Sequence, residues 1–264
     1  MNHAYNSTKS STAYEQFLDS VDGKIFRDVV GQAFLFHLQR TQPQSQPMHI
    51  LDAGCGDGWL AGLLAQGESL GSSYPRTPLG SLKVHACDAG EPLIKIAREK
   101  FPNVQFTACD LNKPLPYQKE SFDVVTASMV IHDVEDELAT LKNLAEVLKP
   151  GGRLLASIVN PYYGYPIGEW KRGLVGRLLN KKPSLRLARF YNQMMKQNRP
   201  NFEWRKNLGS HFTPLSTHIT NASQAGLALT GLSDIYSETD SPTYNLTYQL
   251  HRFPIILLLE FTKL

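Results

Sequence analysis

The residues best equipped for chemistry in this chain are three acids and a run of glycines. The stretch Leu51-Asp52-Ala53-Gly54-Cys55-Gly56-Asp57-Gly58-Trp59 joins an apolar run to a helical one. Glycines at such a junction let a ligand approach the backbone, and the first N–H groups of the helix remain available to bond it. A dinucleotide fingerprint, G-x-G-x-x-G, does not fit, because its third glycine would fall at 59, which is Trp. A P-loop does not fit either, since no Gly-Lys-Ser/Thr follows.

Asp52 narrows the choice. A carboxylate beside the glycine turn repels a pyrophosphate and attracts a cation. The position therefore suits a nucleoside that carries positive charge and no phosphate. S-adenosyl-L-methionine, with its sulfonium and ammonium, has that character. Asp88 ends the next apolar run, where a carboxylate can accept from both hydroxyls of a ribose. Asp110 ends the third run, where it can accept from an adenine amino group, with the Leu111 N–H near the ring. Asp88 lies 36 residues beyond Asp52. A related βαβ unit usually places its acid about 20 residues on, and a polar insertion at 67–81 accounts for the excess.

These residues need elements to hold them, and the pattern supplies an alternation. Apolar runs at 48–53, 82–88, 104–109, 122–130 and 153–159 read as strands. Helical stripes lie at 58–66, 92–100 and 135–148, and Lys149-Pro150-Gly151-Gly152 reads as a stop between the last stripe and the fifth strand. Residues 13–40 read as helical, interrupted at Asp22-Gly23, and 41–47 as a linker. Strands alternating with helices predict a parallel sheet covered on both faces. After Asn160 the alternation stops, and a basic, aromatic segment over 160–215 reads as an inserted helical cap. A last helix is expected at 217–225, then two strands at 227–238 and 254–263 forming an antiparallel closing pair. The organisation is therefore an N-terminal helical lid and linker (1–47), an α/β core (48–159 and 216–264) and the cap (160–215).

The chain resembles class I S-adenosylmethionine-dependent methyltransferases of the small-molecule branch. The resemblance rests on ILDAGCGDGWLAGLLA, VHACDAGEPLI, FTACDLNKPLPYQKESFDVVTASMVIHDVEDE and LKNLAEVLKPGGRLLASI, in this order. It implies a Rossmann-like, doubly wound α/β fold with seven strands in the order 3-2-1-4-5-7-6, the last-formed strand antiparallel. It implies that Gly54 and Gly56 face the methionine part of the cofactor. Asp88, with its neighbour Ala89, would face the ribose, and Asp110 and Leu111 the adenine. Ser128 would offer backbone to the ammonium. Tyr14 matches a tyrosine in the N-terminal lid of many relatives. The insertion at 67–81 and the large cap depart from the pattern.

His132, just beyond the fourth strand, stands where a methyl acceptor would arrive and is the candidate general base. His211 is a weaker one. Cys55, Cys87 and Cys109 form no CxxC pair, which excludes a disulfide framework and a thiolate zinc site, so no metal is expected and the cysteines read as small packing residues in a cytoplasmic protein. Asp133, Glu135, Asp136 and Glu137 complement a helix dipole.

Of the 264 residues, 42% are hydrophobic and 19% charged, enough for a full core without staples. No apolar run approaches a membrane span, and the polar N-terminus lacks a secretory h-region. The net charge of +3 conceals an asymmetry. Residues 160–206 hold eleven Lys/Arg and two acids, net +9, while the remainder holds sixteen and twenty-two, net −6. The basic cap, with Tyr162, Tyr163, Tyr165, Trp170, Phe190, Tyr191, Trp204 and Phe212, suits an anionic or aromatic small-molecule acceptor. Interleaved basic and aromatic residues also serve RNA, but no separate RNA-binding module is present. The expected activity is methyl transfer to an O or N atom rather than C. A tRNA or other macromolecular methyltransferase and a non-catalytic adenosyl-ligand binder are the alternatives. No feature of the sequence specifies an oligomeric state.

Overall fold

The computed structural model describes residues 16, 18–40, 47–66, 81–162, 168–171, 179, 184–187, 195–198, 209–237 and 246–264. Its elements run α1 (Val21–Gln39), β1 (Met48–Ala53), α2 (Trp59–Gln66), β2 (Leu82–Asp88), α3 (Glu91–Lys100), β3 (Gln105–Ala108), β4 (Phe122–Ser128), α4 (Glu137–Val147) and β5 (Leu148–Val159). Four short strands follow: β6 (Gly168–Lys171), β7 (Ser184–Leu187), β8 (Met195–Asn198) and β9 (Gly209–Phe212). The chain closes with α5 (Leu215–Gln224), β10 (Leu227–Ile235), α6 (Leu246–Arg252) and β11 (Ile256–Lys263).

The main sheet has seven strands in the order β10-β11-β5-β4-β1-β2-β3. Counting only its own strands, that is 3-2-1-4-5-7-6, as expected. Neighbours from β3 through β5 are parallel, and β11 runs antiparallel to both β5 and β10. The direction of winding reverses at β1, between β2 and β4, which opens a crevice at the carboxyl ends of those strands.

Alternation within the strands divides the core. Ile50, Val84, Val124, Leu155 and Leu258 pack on one face with Phe34, Leu60 and Ile94 of α1, α2 and α3. Leu51, Val125, Leu154, Leu257 and Leu259 pack on the other with Leu141 and Leu144 of α4 and Ala222 of α5. A strand whose side chains are buried on both faces reads as a continuous apolar run, which is why β1 and β4 were conspicuous.

Two expectations are corrected. Lys149-Pro150-Gly151-Gly152 does end α4, but it lies inside β5 rather than before it. Phe122 pairs with Leu148 and Val124 next pairs with Arg153, so the four residues loop out of register as a bulge. Gly151, at φ 74°, makes the reversal, and Lys149 Nζ, 2.7 Å from Asp123 Oδ1, ties the loop down. Within 160–215 the described residues include two antiparallel pairs, β6–β7 and β8–β9, and most of the segment expected to form a helical cap lies outside the described residues. The helical run at 13–40 is broken at Ser20, which caps α1 by accepting from the Gly23 N–H at 3.1 Å, while Asp22 and Gly23 lie inside the helix. The helix α6 between the closing strands was not anticipated. The insertion at 67–80 and Tyr14 fall outside the described residues.

Candidate active site

The glycine turn after β1 folds across the end of β2. Cys87 O accepts from Gly54 N–H at 2.7 Å and from Cys55 N–H at 3.0 Å. Gly54, Gly56 and Gly58 all have positive φ, of 74°, 56° and 81°. A side chain at 54 would be strained by its backbone, and a Cβ there would also lie 2.5 Å from Val130 Cγ2. The Val130 side chain, from the segment after β4, therefore packs directly on the backbone of the turn after β1.

Asp88 fastens the turn from the other side. Its Oδ2 accepts from Gly56 N–H at 2.9 Å and its Oδ1 from Gly90 N–H at 2.7 Å. The carboxylate joins the loops after β1 and β2. Ala89 lies between these bonds, half-buried.

Asp52 is placed differently. It is 1% exposed and sits beside Thr126 in register, accepting from the Thr126 hydroxyl at 2.8 Å. Burial pushes its carboxyl up to about 7, opposed by the Thr126 hydroxyl and the Ala61 backbone N–H and reinforced by the charges of Asp88 and Asp57. Asp52 Oδ2 is buried with no hydrogen-bond partner among the described residues, and the same holds for Asp57 Oδ1. Asp57 Oδ2 receives Lys100 Nζ at 3.0 Å, which pins the turn to the end of α3. Asp52, Asp57 and Asp88 thus cluster around the glycine turn. Asp52 itself does not reach solvent.

The third acid, Asp110, stands in the turn after β3. Asn112 N–H and Nδ2 donate to its Oδ1 at 3.0 and 2.9 Å, and Lys113 Nζ lies 3.5 Å from its Oδ2. Leu111 is buried. Ser128, at the end of β4, lies 3.3 Å from Ser157 through the two hydroxyls. Met129 then adopts φ 58°, an uncommon conformation for a side-chain-bearing residue, held by bonds from its N–H to Ser157 O (3.0 Å) and Ser157 Oγ (3.1 Å). His132 follows in the segment joining β4 to α4; it is buried, with Nε2 3.8 Å from Asp133 Oδ1. The structure therefore gathers Asp52, Gly54, Gly56, Asp88, Ala89, Asp110, Leu111, Ser128 and His132 at one edge of the sheet.

Cys55 and Cys87 carry thiols held well above the usual range, the first by burial, the second by its hydrogen bond with Cys109 and by burial. They are packing groups rather than nucleophiles. Among the described residues no group of three His, Cys, Asp or Glu is arranged to hold a metal, and no helix is long and apolar enough to cross a membrane.

Several contributors were missed by sequence reasoning. Thr126 had a signal, a lone hydroxyl in an otherwise apolar strand. Ser157 and Asn112 had none, since their roles come from pairings across loops. His218 Nδ1 lies 2.8 Å from Glu137 Oε1, joining α5 to the start of α4. His211 lies on β9.

An adenosyl sulfonium cofactor fits these residues. Three positive-φ glycines shape the turn, the buried Asp52 carboxyl has an oxygen with no hydrogen-bond partner among the described residues, and Asp88 joins the loops after β1 and β2. A profile of the "Methyltransferase domain" family matches residues 44–209. The demethylmenaquinone methyltransferase of Streptomyces griseus is 37% identical over 84 residues, 32% of this chain and 36% of that protein. The malonyl-[acyl-carrier protein] O-methyltransferase of Halalkalibacterium halodurans is 25% identical over 224 residues, 80% of this chain and 75% of that protein. These matches thus span from about a third to three quarters of the relatives' own lengths. An S-adenosylmethionine-dependent methyltransferase from Mesorhizobium loti superposes with a TM-score of 0.64 at 22% identity, covering 89% of this chain and 100% of that one, which shows the shared fold.

Proposed function

Because the chain belongs to the methyltransferase-domain family, we propose that it methylates a small-molecule acceptor with S-adenosyl-L-methionine. The observation that carries this reading is the pairing of a positive-φ glycine turn with a buried, incompletely bonded carboxyl at Asp52. The cofactor supplies an electrophilic methyl group. Asp88 binds the ribose hydroxyls, with Ala89 beside it. Asp110 and the Leu111 N–H bind the adenine. Gly54 and Gly56 give the methionine part room against the backbone, and Ser128 offers its main chain to the ammonium. Asp52 stabilises positive charge above it, and Tyr14 belongs to a lid. His132 takes the acceptor's proton where the acceptor arrives protonated. The chain's main contribution is to hold two reactants in line in a dry pocket, which can lower a barrier by roughly 7–11 kcal/mol.

The acceptor is an anionic or aromatic small molecule methylated on O or N. The excess of Lys/Arg over acids at 160–206 supports the anionic choice. The relatives' names, a quinone precursor and a malonyl group on a carrier, are compatible with either. Three unpaired cysteines support a cytoplasmic setting. The test is transfer of radiolabelled methyl from S-adenosylmethionine to separate panels of carboxylates, phenols and hydroquinones, with S-adenosylhomocysteine quantified alongside. We expect stoichiometric label and product with one panel. Transfer to RNA in preference to every panel would overturn the small-molecule reading.

A further inference from the structure

Asn112 makes hydrogen bonds in two directions. Its backbone N–H and side-chain Nδ2 both donate to Asp110 Oδ1, at 3.0 and 2.9 Å. Its side-chain oxygen accepts from Asp136 N–H at 2.8 Å, and Thr140 Oγ1 lies 3.5 Å from the same oxygen. Asp136 is the N-cap of α4, with Oδ1 accepting from Ala139 N–H at 2.9 Å. Farther along α4, Asn143 Nδ2 donates to Leu111 O at 2.9 Å. The turn at 110–112 is therefore bonded to the beginning of α4.

The segment 129–136 is bonded at both ends, with Ile131 buried in the core between them. It leaves β4 through the left-handed Met129, clamped by Ser157. It enters α4 through Asp136, clamped by Asn112. His132 lies between them. The chemistry of position 112 is specific. Asp110 as a carboxylate only accepts, and the Asp136 N–H only donates. A primary amide answers both with two atoms of one rigid plane. A carboxylate there would repel Asp110, and an apolar side chain would bond neither.

We infer that Asn112 is a positioning residue that couples occupancy at Asp110 to the order of segment 129–136. The inference rests on the reading that Asp110 binds the adenine of the cofactor. A ligand bonded to Asp110 restricts the turn at 110–112. Asn112 passes that restriction to α4's first turn, so the segment carrying His132 loses less freedom when it is ordered. Two sites joined in this way share a coupling free energy, and the effect is reciprocal. An acceptor that orders 129–136 therefore tightens the cofactor.

Hydrogen exchange read by mass spectrometry on the whole chain tests this, with and without saturating S-adenosylhomocysteine. In the unaltered protein the ligand should slow exchange over 129–140 by about fivefold or more, the lower end of ordinary coupling. Asn112→Asp keeps an acceptor for Asp136 N–H but repels Asp110. Its ligand-free exchange over 136–140 should stay near that of the unaltered protein, while the ligand-induced slowing over 129–140 disappears and the slowing over 54–58 remains. Asn112→Ala should lose both the slowing and the ligand-free protection. If the ligand slows 129–140 equally in all three proteins, Asn112 is not the link and the inference fails. If the unaltered protein shows no slowing at 54–58 or 88–90, the cofactor reading itself fails and takes the inference with it.

Discussion

Two ends of the same sheet treat acids in opposite ways. Under the glycine turn, Asp52 meets a hydroxyl and a backbone N–H, and burial raises it to about 7. On the opposite half, Glu260 of β11 is also desolvated, which tends to raise it. There the His37 ring, 2.9 Å from Oε2, and the Arg153 guanidinium outweigh burial and hold it below its ordinary value. Arg153 also donates to His37 O at 3.1 Å, so the cluster fastens the end of α1 to the sheet. A Cβ at Gly231 would lie 3.2 Å from Glu260 Cβ, so the glycine makes room for the acid. An acid with a resident guanidinium is part of the fold. An acid that burial raises, as at Asp52, is of the kind that clusters at functional sites.

The contrast breaks most severely at Gly54. Gly54→Ala puts a Cβ into a left-handed backbone and against Val130. We expect no measurable S-adenosylhomocysteine binding by calorimetry and a loss of about 2–5 kcal/mol in urea unfolding. Unchanged affinity would show that the two loops do not form the site. His132→Ala should lower turnover by about a hundredfold, a typical general-base effect, and leave S-adenosylhomocysteine affinity intact. Normal turnover with the true acceptor would retire His132 as the base. Asp88→Ala should weaken that ligand about tenfold or more, in line with roughly 1.5–3 kcal/mol for hydrogen bonds to a charged group.

The smallest effects concern pH and separate the two ends directly. Asp52 is raised from 3.8 to about 7 by folding, so its contribution to stability is full below pH 3.8 and is lost as pH rises towards 7. Glu260 is lowered from 4.5, so its contribution is present above that pH and is lost as pH falls through its folded value. Asp52→Asn should be more stable than the unaltered protein at pH 8, by about 1 kcal/mol or more, and bind S-adenosylmethionine less well there. Glu260→Gln should be less stable at pH 7 and show a flatter acid limb. Urea unfolding across pH 3–9 reads both. Parallel pH profiles for the two variants would erase the distinction.

The half of the fold that holds the proposed cofactor residues was legible because its signals are local. A strand buried on both faces is an apolar run, and an acid or glycine at its end is visible in the next few residues. Asp52, Asp88 and Asp110 were found in this way. The failures arose where distant partners decide. Pro150 and Gly151 look like the end of everything, yet pairing with β4 resumes at Arg153 and absorbs them as a bulge. The described strands at 168–171, 184–187, 195–198 and 209–212 pair across intervals that no short periodicity announces. Asn112 and Asp136 lie 24 residues apart, and Glu137 and His218 lie 81 apart. Such hydrogen bonds exist only once the sheet has brought the loops to one edge.

The central claim is that the crevice at the reversal of the sheet accepts a cationic, phosphate-free adenosyl ligand. Calorimetric titration of the chain with S-adenosylmethionine, S-adenosylhomocysteine, NADH and ATP measures it most directly. We expect saturable binding of the two adenosyl ligands at one site, with S-adenosylmethionine gaining affinity as Asp52 ionises above pH 7, and no uptake of the two phosphates. Tight binding of NADH or ATP with neither adenosyl ligand bound would contradict the claim.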